Sequence, residues 1–274
     1  MRINLIKTYN PSFKTTNRNV FIVPDGTIIS GDTLENLVLL SRFPQAKIVY
    51  RNTTMFFRCD LDNAHIPKYG TQESWGGFCS TIEDNFKFAS KVNVYDFACS
   101  DGSEAYSLAL CLINNLGLAK AEKYFPIKAS DVDAEMIKVA SSGSIPCNYE
   151  DICVLKHYMP SEEIGKFYDI EDDSCSLDSK FKAKSILKEK IEFECASIQD
   201  GLKSIESSNS LVLCRNFWPY LSVQDIKKTF EQLAQKLDNT SLLVIGSFDE
   251  YYLRNLLESY GFKKVCPLVY RKSC

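Results

Sequence analysis

The chain has 274 residues, 45% hydrophobic and 24% charged, with a formal net charge of −3. That is ordinary globular usage, enough for a large domain with an appendage, and it argues against a protein built around nucleic acid, whose phosphate contacts need a concentrated surplus of Lys and Arg. No stretch approaches the roughly 18 to 20 apolar residues that cross a bilayer, and the opening segment lacks the apolar core of a signal peptide, so a cytoplasmic protein with no membrane insertion is expected.

In chain order, residues 1–50 form a mixed N-terminal section: strand-like NVFIVP, GTIIS and AKIVY, and one helix candidate, TLENLVLLSRF. From about Val92 the pattern becomes strand, turn, helix, repeated, as a parallel sheet covered by helices requires. The strand YDFA precedes the helix SLALCLINNLGL, and FPIKASD precedes AEMIKVASS. IEFECA, SLVLCRN and SLLVIGSF read as further strands, VQDIKKTFEQLAQKL as an amphipathic helix, and YLRNLLESYGF as a helix stopped by Gly261. KKVCPLVYRK reads as a closing strand, and an antiparallel sheet edge is expected there. The polar stretch at about 167–191 interrupts the repeat and reads as a small subdomain or a solvated loop, its charges more simply a hydrated surface. The expected class is α/β: a Rossmann-like, doubly wound, mostly parallel sheet over 51–274, with an antiparallel edge and an insertion at 167–191.

The eleven cysteines contain no C-x-x-C pair, and only His65 and His157 could join them, so no metal site is expected. Cys111 and Cys214 lie in apolar runs, where a thiol packs as a small hydrophobe in a reducing compartment.

The turn ACSDGSE follows the first strand of the repeat, where open parallel sheets bind ligands, and a strand opening straight into a helix is expected to leave backbone N–H groups for a polar or anionic ligand. Gly102 is its only glycine, so the G-x-G-x-x-G fingerprint is missing and dinucleotides are disfavoured. The next strand ends in SDVD. Asp131 there can accept from both hydroxyls of a ribose, or can cap the following helix, a task Asp133 would fill equally well. An adenosine ligand without a pyrophosphate suggests S-adenosylmethionine.

TTMFFR (53–58), ACSDGSEAYSLAL (98–110), ASDVDAEMIKVASSG (129–143), LVLCRNFWPYL (211–221) and SLLVIGSF (241–248) together resemble the CheR-type chemotaxis-receptor methyltransferases, in the same order and at similar separations, from about Asn52 to the C-terminus. The resemblance implies a protein-glutamate O-methyltransferase that uses S-adenosylmethionine, leaves S-adenosylhomocysteine, and acts on a chemoreceptor's cytoplasmic region. It further implies that Asn52, Thr54 and Arg58 fold over the cofactor, with Arg58 gripping its carboxylate in a bidentate fork. Ala98 and Gly102 belong to the binding turn, Glu104 meets the amino group and Asp131 the ribose. Ser197 and Ile198 stand where the family has an Asn-Leu pair around the adenine. Arg215 and Asn216 end the fourth strand beside the reacting centre, and Arg58 and Tyr220 orient the acceptor carboxylate; Phe217, Trp218 and Pro219 are packing.

The chain departs from the family in having Ser103 where an acid is common and Ala105 where proline is common. Residues 1–50 are also too short for the usual basic helical domain, and the 167–191 stretch lies where the family places a small antiparallel subdomain that docks on receptor tails. Two other functions stay open: a related methyltransferase with a small-molecule or other protein acceptor, and a non-catalytic S-adenosylmethionine-binding sensor or adaptor.

Overall fold

The computed structural model describes residues 72–146, 155, 159–171 and 180–273, together with three short strands nearer the N-terminus. Those three, β1 (Asn19–Ile22), β2 (Ile28–Ser30) and β3 (Lys47–Arg51), pair antiparallel in the order β2-β1-β3, so the strand-like pieces of the opening segment do form strands. The helix candidate at 33–43 lies outside the described residues.

The chain then runs α1 (Gln72–Asn85), β4 (Asn93–Phe97), α2 (Ser103–Leu116), β5 (Ile127–Asp131), α3 (Ala134–Ser142), β6 (Ser144–Pro146), α4 (Ser161–Phe167), β7 (Tyr168–Glu171) and β8 (Lys180–Ala183). It continues through β9 (Ile191–Cys195), α5 (Ile198–Lys203), β10 (Ser210–Cys214), α6 (Val223–Lys236), β11 (Leu242–Val244), α7 (Ser247–Ser259), β12 (Phe262–Cys266) and β13 (Val269–Lys272). Seven strands form one sheet in the order β12-β13-β11-β10-β4-β5-β9. The five from β11 to β9 are parallel, and β13 joins β11 antiparallel, which gives the reversed edge expected.

Alternation along the central strands separates two cores. Val94, Leu211, Leu213, Leu242 and Val244 face the layer that contains α2, whereas Tyr95, Phe97, Val212, Cys214, Leu243 and Ile245 face the layer that contains α6 and α7. Helix α2 is buried at every position from Ser103 to Ile113, Cys111 included, because elements cover it on the side away from the sheet as well. Helix α6 buries one stripe only, Ile226, Thr229, Phe230, Leu233 and Ala234, at helical spacing, and Ser222 caps it by accepting the Asp225 N–H at 3.1 Å.

The structure corrects three boundaries. KKVCPLVYRK is two strands rather than one: β12 and β13 form a hairpin around Pro267, which has no N–H to give a ladder, and Leu268, which takes a φ of 64°. SLLVIGSF is a strand only to Val244, and helix α7 starts at Ser247, five residues earlier than the apolar spacing indicated, because Asp249 in its first turn accepts the Gly246 N–H at 2.7 Å. The polar stretch at 167–191 contributes β7 and β8 to a three-stranded antiparallel sheet whose third strand, β6, lies upstream of it.

Phe230 is fully buried at the centre of the second core, with the rings of Trp218, Tyr260 and Phe262 at 6.0, 5.9 and 5.7 Å. Phe230→Ala is expected to lower unfolding free energy in urea by about 3–5 kcal/mol, the usual cost of emptying an aromatic site.

Candidate active site

From β4 the chain winds outward through β5 to β9, then crosses back to β10 on the other side of β4. The carboxyl ends of β4 and β10 therefore flank the switch in winding direction, where open sheets of this kind form their ligand crevice. Among the described residues five non-glycine positions have positive φ, and three of them, Ala98 (59°), Ser100 (51°) and Asn216 (60°), lie just past these two strand ends. Such conformations cost about 1–3 kcal/mol each and persist where the surroundings enforce them.

Asp131 holds the second, Ser100, in place. It ends β5, one strand over, and its two oxygens accept the Ser100 N–H at 2.8 Å and the Asp133 N–H at 2.9 Å. The cap of α3 is Asp133, which accepts from Glu135 and Met136 at 2.9 and 3.4 Å, so the two aspartates divide the roles that spacing alone left open. An ionised carboxylate offers about four acceptor positions. Asp131 spends two on the backbone and can offer the others to a pair of hydroxyls.

The turn between β4 and α2 is not the nest of open donors expected. Cys99 N–H goes to Ser130 O at 3.0 Å, Gly102 N–H to Cys99 O at 2.9 Å, and Ser103 N–H to Asp101 Oδ1 at 3.1 Å. The acids of the turn and of β5 take donors that an anion would otherwise use. Gly102 has a φ of 81°, and a Cβ there would lie 2.9 Å from both Ala140 Cβ and Phe193 Cζ, so glycine is required by packing of the helix start on α3 and β9 as well as by conformation.

Glu104, in the first turn of α2, and Arg215, just after β10, form a buried ion pair through Arg215 Nη1. Strand parity explains the meeting: Leu211, Leu213 and Arg215 alternate onto the α2 side. Asp96, Asp101, Glu104 and Asp131 are all buried near this switch, with Arg215 as the positive charge set against them. Burial, and then the Glu104 charge, pushes the Asp96 carboxyl well above the usual carboxylate range. Burial also raises Asp131, against the pull of its backbone donors, and with the surrounding acids it raises the thiols of Cys99 and Cys214. An acid-rich, partly desolvated crevice of this kind favours a cationic ligand.

Asn216 faces the other layer. Its N–H donates to Asp249 Oδ2 at 2.7 Å, the same oxygen that takes Gly246 N–H at 2.7 Å, and a Cβ on Gly246 would collide with Asn216 Oδ1. Sequence reading missed Asp249, although an acid three residues past a strand-ending glycine is a helix-start signal. Ser197 caps α5: its hydroxyl accepts the Asp200 N–H at 3.2 Å and donates to Asp200 Oδ2 at 2.7 Å, with Ile198 as the first helical residue, so both stand just past the end of β9. Phe217 and Trp218 are buried packing as expected, and Trp218 Nε1 donates to Cys214 O at 2.8 Å. Tyr220 ends a short 3-10 turn, 38% exposed. Asn52, Thr54 and Arg58 lie outside the described residues.

A family model for the CheR methyltransferase SAM-binding domain matches residues 71–261. The chain belongs to the CheR methyltransferase family. It is 25% identical over 189 residues to a chemotaxis protein methyltransferase of Borreliella burgdorferi, covering 67% of this chain and 59% of that protein. It is 24% identical over 186 residues to chemotaxis protein methyltransferase 1 of Pseudomonas aeruginosa, covering 66% and 62%. The chain thus spans about three fifths of the length of these relatives. Among solved structures, magnesium protoporphyrin IX methyltransferase from Synechocystis PCC 6803 with bound SAH aligns over 74% of this chain and 84% of that one, at 12% identity and a TM-score of 0.39, too distant to carry argument. Within the CheR match lie the switch point, Asp131, the Glu104–Arg215 pair and Tyr220.

Burial pushes the Asp249 carboxyl up to about 6, against two backbone donors that pull it down. Because the folded value is raised, the folded state holds the proton longer than the unfolded chain, so this contribution to stability is complete below about pH 4 and is lost as pH rises through about 6, on the order of 3 kcal/mol in all. Asp249→Asn removes a titrating group. The difference in melting temperature between wild type and variant should change across about pH 4 to 6.5 and stay flat above it, as scanning calorimetry in a pH series would measure.

Proposed function

We propose that this chain transfers a methyl group from S-adenosylmethionine to ionised side-chain carboxylates of a protein, glutamates in the cytoplasmic region of a chemoreceptor being the class that the family resemblance implies, in keeping with relatives named chemotaxis protein methyltransferases. The observation that carries the reading is the acid-rich crevice at the switch point, inside a CheR SAM-binding domain, with Asp131 held on two backbone donors and keeping acceptor positions to spare. These residues suit a ligand that is cationic at sulfur and carries a ribose diol.

Asp131 accepts from the ribose hydroxyls. Ala98 and Gly102 form a floor without side-chain bulk, and Ser197 with Ile198 borders the adenine at the end of β9. Glu104 faces the amino group, and Arg215, directed at Glu104, acts by positioning that acid. Asn216 borders the reacting centre, its backbone fixed by Asp249. Arg58, with Asn52 and Thr54, closes over the carboxylate end, an assignment that rests on the family motif.

S-adenosylmethionine, when bound, supplies a methyl group on a positively charged sulfur. The acceptor needs no strong base, because a glutamate with an ordinary pKa near 4.3 is already ionised at neutral pH. What the protein contributes is alignment and exclusion of water, which for a well-oriented pair can supply about 7–11 kcal/mol. Arg58 and Tyr220 orient the acceptor oxygen. No histidine is assigned a role. Six described cysteines are free thiols, four of them buried, which suits a reducing compartment such as the cytoplasm, and among the described residues no helix is long and apolar enough to cross a membrane.

Incubation with methyl-labelled cofactor and receptor cytoplasmic fragments is expected to give protein-bound label that leaves as methanol in mild alkali. Label stable to alkali would point to another acceptor atom, and cofactor binding without any labelling would make the chain an adaptor. Asp131→Asn should weaken S-adenosylhomocysteine binding about tenfold to a hundredfold in calorimetry, as loss of about 1.5–3 kcal/mol implies. Tyr220→Phe should instead lower turnover about tenfold and leave cofactor affinity nearly unchanged; equal losses in both would contradict its role toward the acceptor.

A further inference from the structure

Asp96 occupies the middle of β4, in the run VYDFA, where an apolar residue would fill a core strand. Parity turns it to the same side as Val94, toward the layer of α2, where Glu104 and Arg215 meet. It is buried, and among the described residues neither of its carboxylate oxygens has a hydrogen-bond donor in reach. Such orphaned buried acceptors are rare in folded proteins and call for a proton, an ion or a function.

Charge balance selects the proton. Asp96 lies beside Glu104, and the guanidinium near both, Arg215, is directed at Glu104 and gives Asp96 no hydrogen bond. Were both acids ionised, two carboxylates would sit side by side out of solvent with a single counter-charge. One proton relieves the repulsion and turns an orphaned acceptor into a donor. Glu104 is the partner kept ionised by the ion pair, so the proton belongs to Asp96.

We propose that Asp96 is a positioning residue that stays protonated at neutral pH, donating its hydrogen to Glu104 and so fixing the Glu104–Arg215 pair beneath the cofactor crevice. The role assigned to Glu104 rests on the function proposed above; the protonation of Asp96 does not. Burial contributes most to holding the proton, the Glu104 charge next, with the Arg215 guanidinium opposing and Asp131 adding to it. The other titratable neighbours that respond to Asp96, the thiols of Cys99 and Cys214, are themselves raised by burial and stay neutral. The acid cluster thus carries a proton that the methyl-transfer step does not use. Its place is under the amino-acid end of the ligand, where it limits the negative charge against which a zwitterionic tail must bind.

Asn mimics a protonated Asp in shape and keeps a donor, whereas Ala keeps neither. Infrared difference spectra of wild type against Asp96→Asn at neutral pH should contain a protonated-carboxyl stretch present only in the wild type. Calorimetry with S-adenosylhomocysteine should give Asp96→Asn within about twofold of wild type and Asp96→Ala weaker by about tenfold or more, the scale of one hydrogen bond to a charged group. Absence of the carboxyl band, or equal affinities in the two variants, would overturn the proposal. If the wild type binds neither form of the cofactor, the functional reading fails, and the infrared band still decides whether Asp96 holds the proton.

Discussion

Two parallel neighbours, β4 and β10, part at their carboxyl ends because their connections leave to opposite sides of the sheet. Their terminal backbone donors lose strand partners there, and a buried N–H left without an acceptor costs about 1–3 kcal/mol. The chain meets this demand with acids from the next element over. Asp131, at the end of β5, takes the Ser100 N–H; Asp249, in α7, takes those of Asn216 and Gly246. The positive φ values at Ser100 and Asn216 are held by these carboxylates. The shape of the crevice therefore depends on two buried acids before any ligand is considered.

A crevice braced by acids acquires a charge preference as a consequence. Glu104, Asp101 and Asp131 are buried near it, Arg215 is set against Glu104, and the depressed acidity of Asp96, Cys99 and Cys214 comes first from burial and then from these neighbouring acids. In the turn that would cradle a phosphate in a dinucleotide site, the N–H groups of Cys99, Ser100, Gly102 and Ser103 are closed on Asp131, Asp101 and neighbouring carbonyls. Anionic pyrophosphates are excluded for the same reason that a cationic sulfonium is accommodated. In the reaction proposed above, transfer of a methyl cation equivalent to a carboxylate would neutralise two opposite charges, a step in which orientation and dryness count for more than proton transfer.

Much of the sheet was legible because short continuous apolar runs in the interior strands and a period of 3.6 in the helices leave a local trace, as in SLVLC and VQDIKKTFEQLAQKL. Asp131 was legible as well, since a strand-ending acid after a one-glycine turn is a local pattern, although its separation from Asp133 as the helix cap required coordinates. The Glu104–Arg215 pair was not, because its members stand 111 residues apart and meet only through the placement of β10 beside β4. Asp96 was passed over as one polar letter in an alternating strand; its burial, not its spacing, makes it informative. The hairpin of β12 and β13 was hidden because Pro267 and Leu268 make a turn within an otherwise continuous strand-like run. The positions of Asn52, Thr54 and Arg58 lie outside the described residues and remain assignments from motif.

Arg215 and Asn216 show how one dipeptide joins both layers to the crevice. Alternation along β10 sends Leu211 and Leu213 to one core and Val212 and Cys214 to the other, and the two following residues keep that order. Arg215 turns toward α2 and ends on Glu104; Asn216 turns toward α7, where its backbone is held by Asp249 and its side chain packs against Gly246. Trp218 ties the same strand end from beyond, through its bond to the Cys214 carbonyl. A shift of β10 by one residue would exchange the two faces, placing a guanidinium against the backbone of Gly246 and an amide against Glu104. The register of one interior strand, whose side chains fill a core on each face, thus fixes which charge reaches the site and which backbone turn frames it.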